Sequence, residues 1–70
     1  MNIKELGTMM KAKRIVLGLT LEDLAKKTNL NKSSISKYEN GNVMMHIVTF
    51  LKICNALDIE IIFNLEKNRQ

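Results

Sequence analysis

The sequence contains no proline and no tryptophan, and it has only one cysteine, Cys54, and one histidine, His46. A single cysteine cannot form a disulfide within the chain, and one cysteine with one histidine cannot supply the ligands of a zinc site. A glycine-rich phosphate loop and a Ser/His/Asp arrangement are missing as well. We therefore expect no catalytic residue, no metal, no cofactor and no enzymatic activity, with Cys54 packed in the core.

Long apolar runs are also absent, since none approaches the ~20 residues that a membrane-spanning helix needs. The first residues lack the apolar core of a secretion signal. These absences predict a cytoplasmic protein with no membrane partner. Seventy residues allow one small domain with a thin core. Without a disulfide or a metal, we expect a second copy of the chain to reinforce that core.

Positive charge is concentrated in one part of the sequence. Residues 1–40 carry eight lysines and arginines against four acidic residues, whereas residues 41–70 carry three of each. Such an uneven distribution favours a polyanionic partner, and nucleic acid is the commonest one. The alternative is a solvated lysine surface that binds nothing.

Hydrophobic spacing and helix-end signals predict four helices. Their predicted ranges are 2–17, 21–28, 31–40 and 46–57. Thr20 and Asp23 resemble a capping box, Asn29 suits a left-handed helix end, and Asn31 suits the cap of the third helix. One apolar stripe of the fourth helix is expected to face the core, formed by Ile47, Phe50, Leu51, Cys54 and Leu57.

The second and third helices are separated by only a few residues, which is the spacing of a helix-turn-helix. The third helix would direct Ile35 and Tyr38 inward. Four short or flexible polar residues then lie on its outer side: Lys32, Ser33, Ser36 and Lys37. A protruding helix about 10–12 Å wide fits the ~12 Å major groove of B-form DNA.

Three blocks of sequence carry a resemblance to a known family. They are KRIVLGLT at 13–20, EDLA at 22–25 and SISKYENG at 34–41. In these blocks the chain resembles the Xre family of helix-turn-helix regulators, the group of the lambda-type phage repressors and Cro proteins, over about residues 6–57. The resemblance implies a mainly α fold, a compact four-helix lambda-repressor-like domain that binds double-stranded DNA as a transcriptional repressor.

The resemblance also implies roles for individual residues. Lys32, Ser33 and Lys37 stand where family members contact base edges, and Asn31, Ser34 and Asn40 stand where they contact or approach phosphates. Ser36 lies on the same outer side. Arg14 and Glu39 occupy positions that form a structural ion pair in relatives. The chain departs from the family at Leu21, where many relatives have a phosphate-binding glutamine, and at the uncharged loop 42–45.

The last residues show a different pattern, in which apolar residues alternate with mostly polar ones. The alternating positions are Ile59, Ile61, Phe63 and Leu65. This period predicts a β-strand over 59–66, with a fifth helix as the alternative. A lone strand would pair with its copy across a two-fold axis, so these residues are predicted to dimerise the chain. The arrangement is similar to the C-terminus of Hip-type antitoxins.

The predicted organisation is therefore a DNA-binding domain at 1–58, a dimerisation strand at 59–66 and a polar tail at 67–70. The sequence favours a homodimeric, sequence-specific repressor on a palindromic operator. Within that function, it favours the antitoxin of a toxin-antitoxin operon, with a toxin protein as partner. A phage or plasmid repressor without a toxin is one alternative. Another is a protein-interaction module that has lost DNA binding, which Leu21 and the uncharged loop would suit. Within that loop, Val43, Met44 and Met45 would either fill gaps in the core or meet a partner.

Overall fold

A computed structural model describes residues 2–62, and the four predicted helices are confirmed in it. They are α1 (Ile3–Val16), α2 (Leu21–Thr28), α3 (Lys32–Glu39) and α4 (Ile47–Ala56). None of these helices is long and apolar enough to cross a membrane. Residues 59–62 form neither helix nor strand, and residues 63–66 of the predicted strand lie outside the described part of the chain. The strand therefore stays a prediction.

Local hydrogen bonds fix the helix-turn-helix unit, as the sequence predicts. The Thr20 hydroxyl accepts from the Asp23 N–H at 3.0 Å, and the Thr20 N–H donates to the Asp23 carboxylate at 2.9 Å. This bond from the Thr20 backbone lowers the pKa of Asp23, which keeps a negative charge at the positive end of α2. Asn29 takes the left-handed conformation after α2, with φ at 58°. The Asn31 side chain then caps α3.

The core lies where the four helices meet. Its fully buried side chains come from every helix: Met10, Leu24, Ile35, Ile53 and Leu57. Cys54 is buried as expected, and burial raises the pKa of its thiol, so the thiol remains protonated.

The predicted inward stripe of α4 is partly wrong. Ile47 is 58% exposed and Leu51 is 46% exposed, whereas Ile53 is fully buried in their place. The reason is that α4 is apolar on more than one side, so that hydrophobic spacing alone does not determine which side faces the core.

Helix α1 approaches the last turn of α3 very closely at Gly7. A Cβ atom added to Gly7 would lie 2.4 Å from the carbonyl oxygen of Tyr38 and 2.5 Å from that of Glu39. Both obstacles are backbone atoms, which cannot move aside as a flexible side chain would. Gly7 is therefore required for the observed distance between the two helices.

A buried ion pair joins the same two helices. Arg14 Nε donates to Glu39 Oε2 at 2.7 Å, and Arg14 Nη2 donates to Glu39 Oε1 at 3.1 Å. The third nitrogen, Nη1, donates to the Leu19 carbonyl at 2.8 Å. Both residues are less than a tenth exposed, at 8% for Arg14 and 6% for Glu39. One guanidinium thus connects α1, the turn before α2 and the end of α3.

Removing one charge of this pair should lower the free energy of unfolding more than removing both charges does. Glu39→Gln leaves the guanidinium buried without a counter-charge, and we expect the free energy of unfolding to fall by about 3–5 kcal/mol. The double variant Arg14→Met/Glu39→Leu carries no buried charge and should lose clearly less. Urea denaturation measures both values, and an equal loss in the two variants would contradict a coupled ion pair.

Gly7→Ala should destabilise the protein although alanine favours helices. At an unobstructed helical position this change stabilises by ~1 kcal/mol, but here the new methyl group collides with backbone, and we expect a loss of about 1–3 kcal/mol. Thr8→Ala, at the exposed neighbouring position, is the control and should stay within ~0.5 kcal/mol of the parent. Thermal or urea unfolding gives both values, and a stabilised Gly7→Ala variant would show that the helices can separate freely.

Candidate nucleic-acid interface

Helix α3 is held on one side and free on the other. It packs against α1 and α2, with Ile35 and Glu39 buried on its inner side. On the outer side Lys32, Ser33 and Lys37 are exposed. The helix therefore presents a polar side to solvent while its inner side is anchored by the core and by the ion pair.

The residues predicted to bind DNA come together in the structure. A shallow groove runs along the outer side of α3, which we call the α3 groove; its lining residues are Leu21, Asn31, Lys32, Ser33, Ser36, Lys37, Asn40 and Asn42. All the predicted DNA-binding residues except Ser34 line it. Ser34 is half-buried on α3 beside the groove.

The N-terminal end of α3 is ordered by Asn31. Its side-chain oxygen accepts from the Ser33 N–H at 3.0 Å and from the Ser33 hydroxyl at 2.8 Å. Because both bonds use the oxygen, the amide nitrogen of Asn31 can donate to a ligand. This donor lies at the positive end of the helix dipole, where an anion such as a phosphate is favoured.

The electrostatics of the α3 groove are positive. It contains Lys32 and Lys37 and no acidic side chain. Among residues 2–62, Arg14 and Glu39 form the only salt bridge, counted as nitrogen and oxygen atoms within 4 Å. Within this range neither Lys32 nor Lys37 is therefore paired with a carboxylate. The same range holds no cluster of metal-ligating side chains. What the groove offers is a set of hydrogen-bond donors and positive charge on a helix that fits a major groove.

Two members of the groove were missed by sequence reasoning. Leu21 belongs to α2, and Asn42 follows α3, so neither lies on the helix that the pattern identified. Leu21 entered the sequence analysis only as a departure from the family. Its position in the groove depends on how α2 packs against α3, which no local signal reports.

The loop after α3 is uncharged and partly exposed. Met44 is 85% exposed, and Val43 is also exposed, whereas Met45 packs against the core. Met45 therefore fills a gap in the core, which is the first of the two alternatives predicted for this loop. Met44 instead adds apolar surface next to the exposed residues of α4.

Comparisons with known proteins agree with this geometry. Residues 10–64 match the family model described as Helix-turn-helix. The structure is similar to the restriction-modification controller protein C.AhdI from Aeromonas hydrophila, with 33% identity and a TM-score of 0.79 over 83% of this chain and 88% of that one. No curated protein matches the chain.

Two further structures extend the likeness. The restriction-modification controller C.Esp1396I, solved as a tetramer with its natural 35 base-pair operator, is 29% identical with a TM-score of 0.78, over 83% of this chain and 76% of that one. The clp gene regulator ClgR from C. glutamicum is 24% identical with a TM-score of 0.79, over 83% and 74%, and shows the shared fold alone. With most of its length matched by the family model and its polar helix exposed, the chain belongs to the helix-turn-helix family of DNA-binding transcriptional regulators.

Proposed function

We propose that the chain is a sequence-specific transcriptional repressor that binds a palindromic operator as a homodimer. The observation that carries this proposal is the α3 groove, which is lined by several hydroxyl and amide groups and by two lysines that form no salt bridge among residues 2–62. Such a protein would act in the cytoplasm, where the DNA is. It would work by binding alone, without catalysis or a cofactor.

In this mechanism α3 enters the major groove of each half-site. Lys32 and Lys37 would donate to base edges, where lysine favours the O6 and N7 acceptors of guanine. Asn31, Ser34 and Asn40 would contact phosphates and set the register of the helix. The ion pair between Arg14 and Glu39 holds the far end of α3, so that the side chains reach the bases at a fixed angle. Bound protein would then block access of other proteins to the operator.

Dimerisation has two candidate surfaces. The first is an exposed apolar side of α4 and the preceding loop, which we call the α4 face: Met44, Ile47, Val48 and Leu51. Within α4, Leu51 is four residues from Ile47 and three from Val48, so these three lie on one side of the helix. Met44, in the preceding loop, lines one pocket with Ile47. The second is the predicted C-terminal strand. Of its residues, Ile59 packs against the core of its own subunit, and Phe63 and Leu65 lie outside the described residues.

We favour the α4 face because the α4 faces of two copies could pack against each other, and each would then remove the other's apolar residues from water. Around a two-fold axis, each copy would contribute the same surface, as isologous dimers require. No charged residue belongs to this face, so its burial would desolvate no charge. A dimer of this kind would present two α3 helices to half-sites ~34 Å apart on one side of the duplex.

The biological setting is a finer part of the proposal. The likeness to restriction-modification controllers supports a controller of a restriction-modification system. An antitoxin with a toxin protein as partner, and a phage or plasmid repressor, are the alternatives that the sequence pattern raised. The adjacent reading frame separates them, because it would encode a restriction or modification enzyme, a toxin, or neither.

A protein-interaction module is the rival from another class. The exposed Met44 and the apolar Leu21 favour it, since hydrocarbon at the surface and in the groove suits contact with a protein. A titration of random duplex DNA at low salt separates the two functions. A regulator should bind weakly with strong salt dependence, whereas a module without DNA contacts should not bind at all.

The main experiment is selection of bound oligonucleotides from a random duplex pool. Recovery of an inverted repeat with centres about 10 base pairs apart would support DNA recognition, dimerisation and half-site spacing together. Recovery of a single unrepeated site would contradict the dimer. Failure to enrich any sequence would contradict specific binding.

Lys32→Ala and Lys37→Ala should distinguish base reading from phosphate contact. If either lysine reads a guanine, its loss should weaken operator binding by about 1–3 kcal/mol and relax the preference at one position. Lys52→Ala, which removes an exposed lysine of α4 away from the groove, should leave operator binding unchanged. Titrations on operator and random duplexes measure this. Equal weakening on both DNAs for both groove variants would exclude base reading.

The two dimer surfaces can be separated with point variants of the full chain. Val48→Glu puts a charge on the α4 face and should shift the protein to monomer, with a weaker and no longer cooperative binding to the paired half-sites. Ala12→Glu adds the same charge at an exposed position of α1 and should remain dimeric. Sedimentation measures the mass. A dimeric Val48→Glu variant together with a monomeric Phe63→Ser variant would transfer the interface to the C-terminal strand.

A further inference from the structure

Leu21 is the apolar residue in an otherwise polar groove. It is the first residue of α2 and is half-buried. One part of its side chain packs against the buried core, and another part lines the α3 groove together with Lys32, Ser36 and Lys37. A leucine needed only for the core would not have to share a surface with the residues that face DNA.

Both the backbone and the side chain of Leu21 are held in place. The capping box of Thr20 and Asp23 fixes the backbone at the start of α2, and the core contact restricts the side chain. Little conformational entropy is therefore left to lose when a ligand meets it. The exposed part of Leu21 is a small, pre-positioned hydrocarbon surface beside two lysines.

The chemistry of DNA limits what such a surface can contact. Leucine donates no hydrogen bond, so it cannot read the acceptors of a base or bind a phosphate. The apolar group at the base edges of the major groove is the methyl group on C5 of thymine. Methylated cytosine carries the same group at the same ring position. Contact with this methyl would remove hydrocarbon from water on both partners.

We propose that Leu21 reads the C5-methyl group of a pyrimidine within each half-site. This inference rests on the proposed function and adds a position of sequence preference outside the recognition helix. In the complex, Lys32 and Lys37 supply polar contacts to their bases, and Leu21 supplies a hydrophobic contact to the neighbouring pyrimidine. The base that carries the C5-methyl group is thymine in ordinary DNA and 5-methylcytosine in modified DNA.

The test replaces thymine by deoxyuracil in the selected operator, one symmetric pair at a time. This change removes only the methyl group. For the parent protein we expect one pair at which uracil weakens binding about three- to fivefold per half-site, as the burial of one methyl predicts. For Leu21→Ala the two DNAs should bind equally at that pair. A cytosine pair replaced by 5-methylcytosine forms the second arm and identifies modified DNA as the source if it strengthens parent binding and leaves Leu21→Ala unaffected.

For each protein, the affinity for one DNA is divided by its affinity for the other. A general loss of stability in Leu21→Ala therefore cancels in this ratio. Leu21→Met keeps the core filled and should retain part of the methyl preference. Ser36→Ala, which alters a hydroxyl in the same groove, should retain all of it. If no methyl affects the parent more than Leu21→Ala while the operator is still bound, the inference is wrong and the regulator stands. If no duplex is bound, both are wrong.

Discussion

The rest of the structure depends on the hydrogen bonds that the guanidinium group of Arg14 donates. Its three hydrogen bonds connect α1, the turn at Leu19 and the carboxylate of Glu39 at the end of α3. Hydrophobic packing is non-directional, and the core of this small domain is thin. A directional contact is therefore what fixes the angle of α3. Gly7 acts with it, because the absence of a side chain lets α1 touch the last turn of α3.

A fixed α3 makes the outer polar side useful. Lys32 and Lys37 have flexible side chains, and in the proposed complex their reach toward a base would depend on where the helix axis lies. Small errors in that axis would change which atoms they meet. The stiff inner side, with Ile35 fully buried, and the capped N-terminal end at Asn31 reduce those errors. Rigid support for mobile polar side chains is the physical basis of a recognition helix.

Most of the fold could be predicted because the relevant signals are local. The roles of Thr20, Asp23, Asn29 and Asn31 follow from hydrogen bonds within a few residues. The rest depends on tertiary packing. Helix α4 is apolar on more than one side, so its spacing could not show that Ile53 is buried and Ile47 exposed. The resemblance marked position 21 as one where relatives contact phosphate, but the sequence could not show that Leu21 lines the groove, because its neighbours there belong to another helix. Half of the predicted C-terminal strand, residues 63–66, lies outside the described residues, and the strand is still a prediction.

The misjudged side of α4 is itself informative. A helix that needed only to close the core would gain nothing from the exposed apolar residues Ile47, Val48 and Leu51, with Met44 exposed in the loop before it. The excess positive charge lies in residues 1–40, and residues 41–70 are balanced. Two copies that met through the basic half would repel each other, whereas contact through the neutral half leaves both basic surfaces free. Charge distribution and apolar exposure thus support the proposal that one half of the chain binds DNA and the other half self-associates.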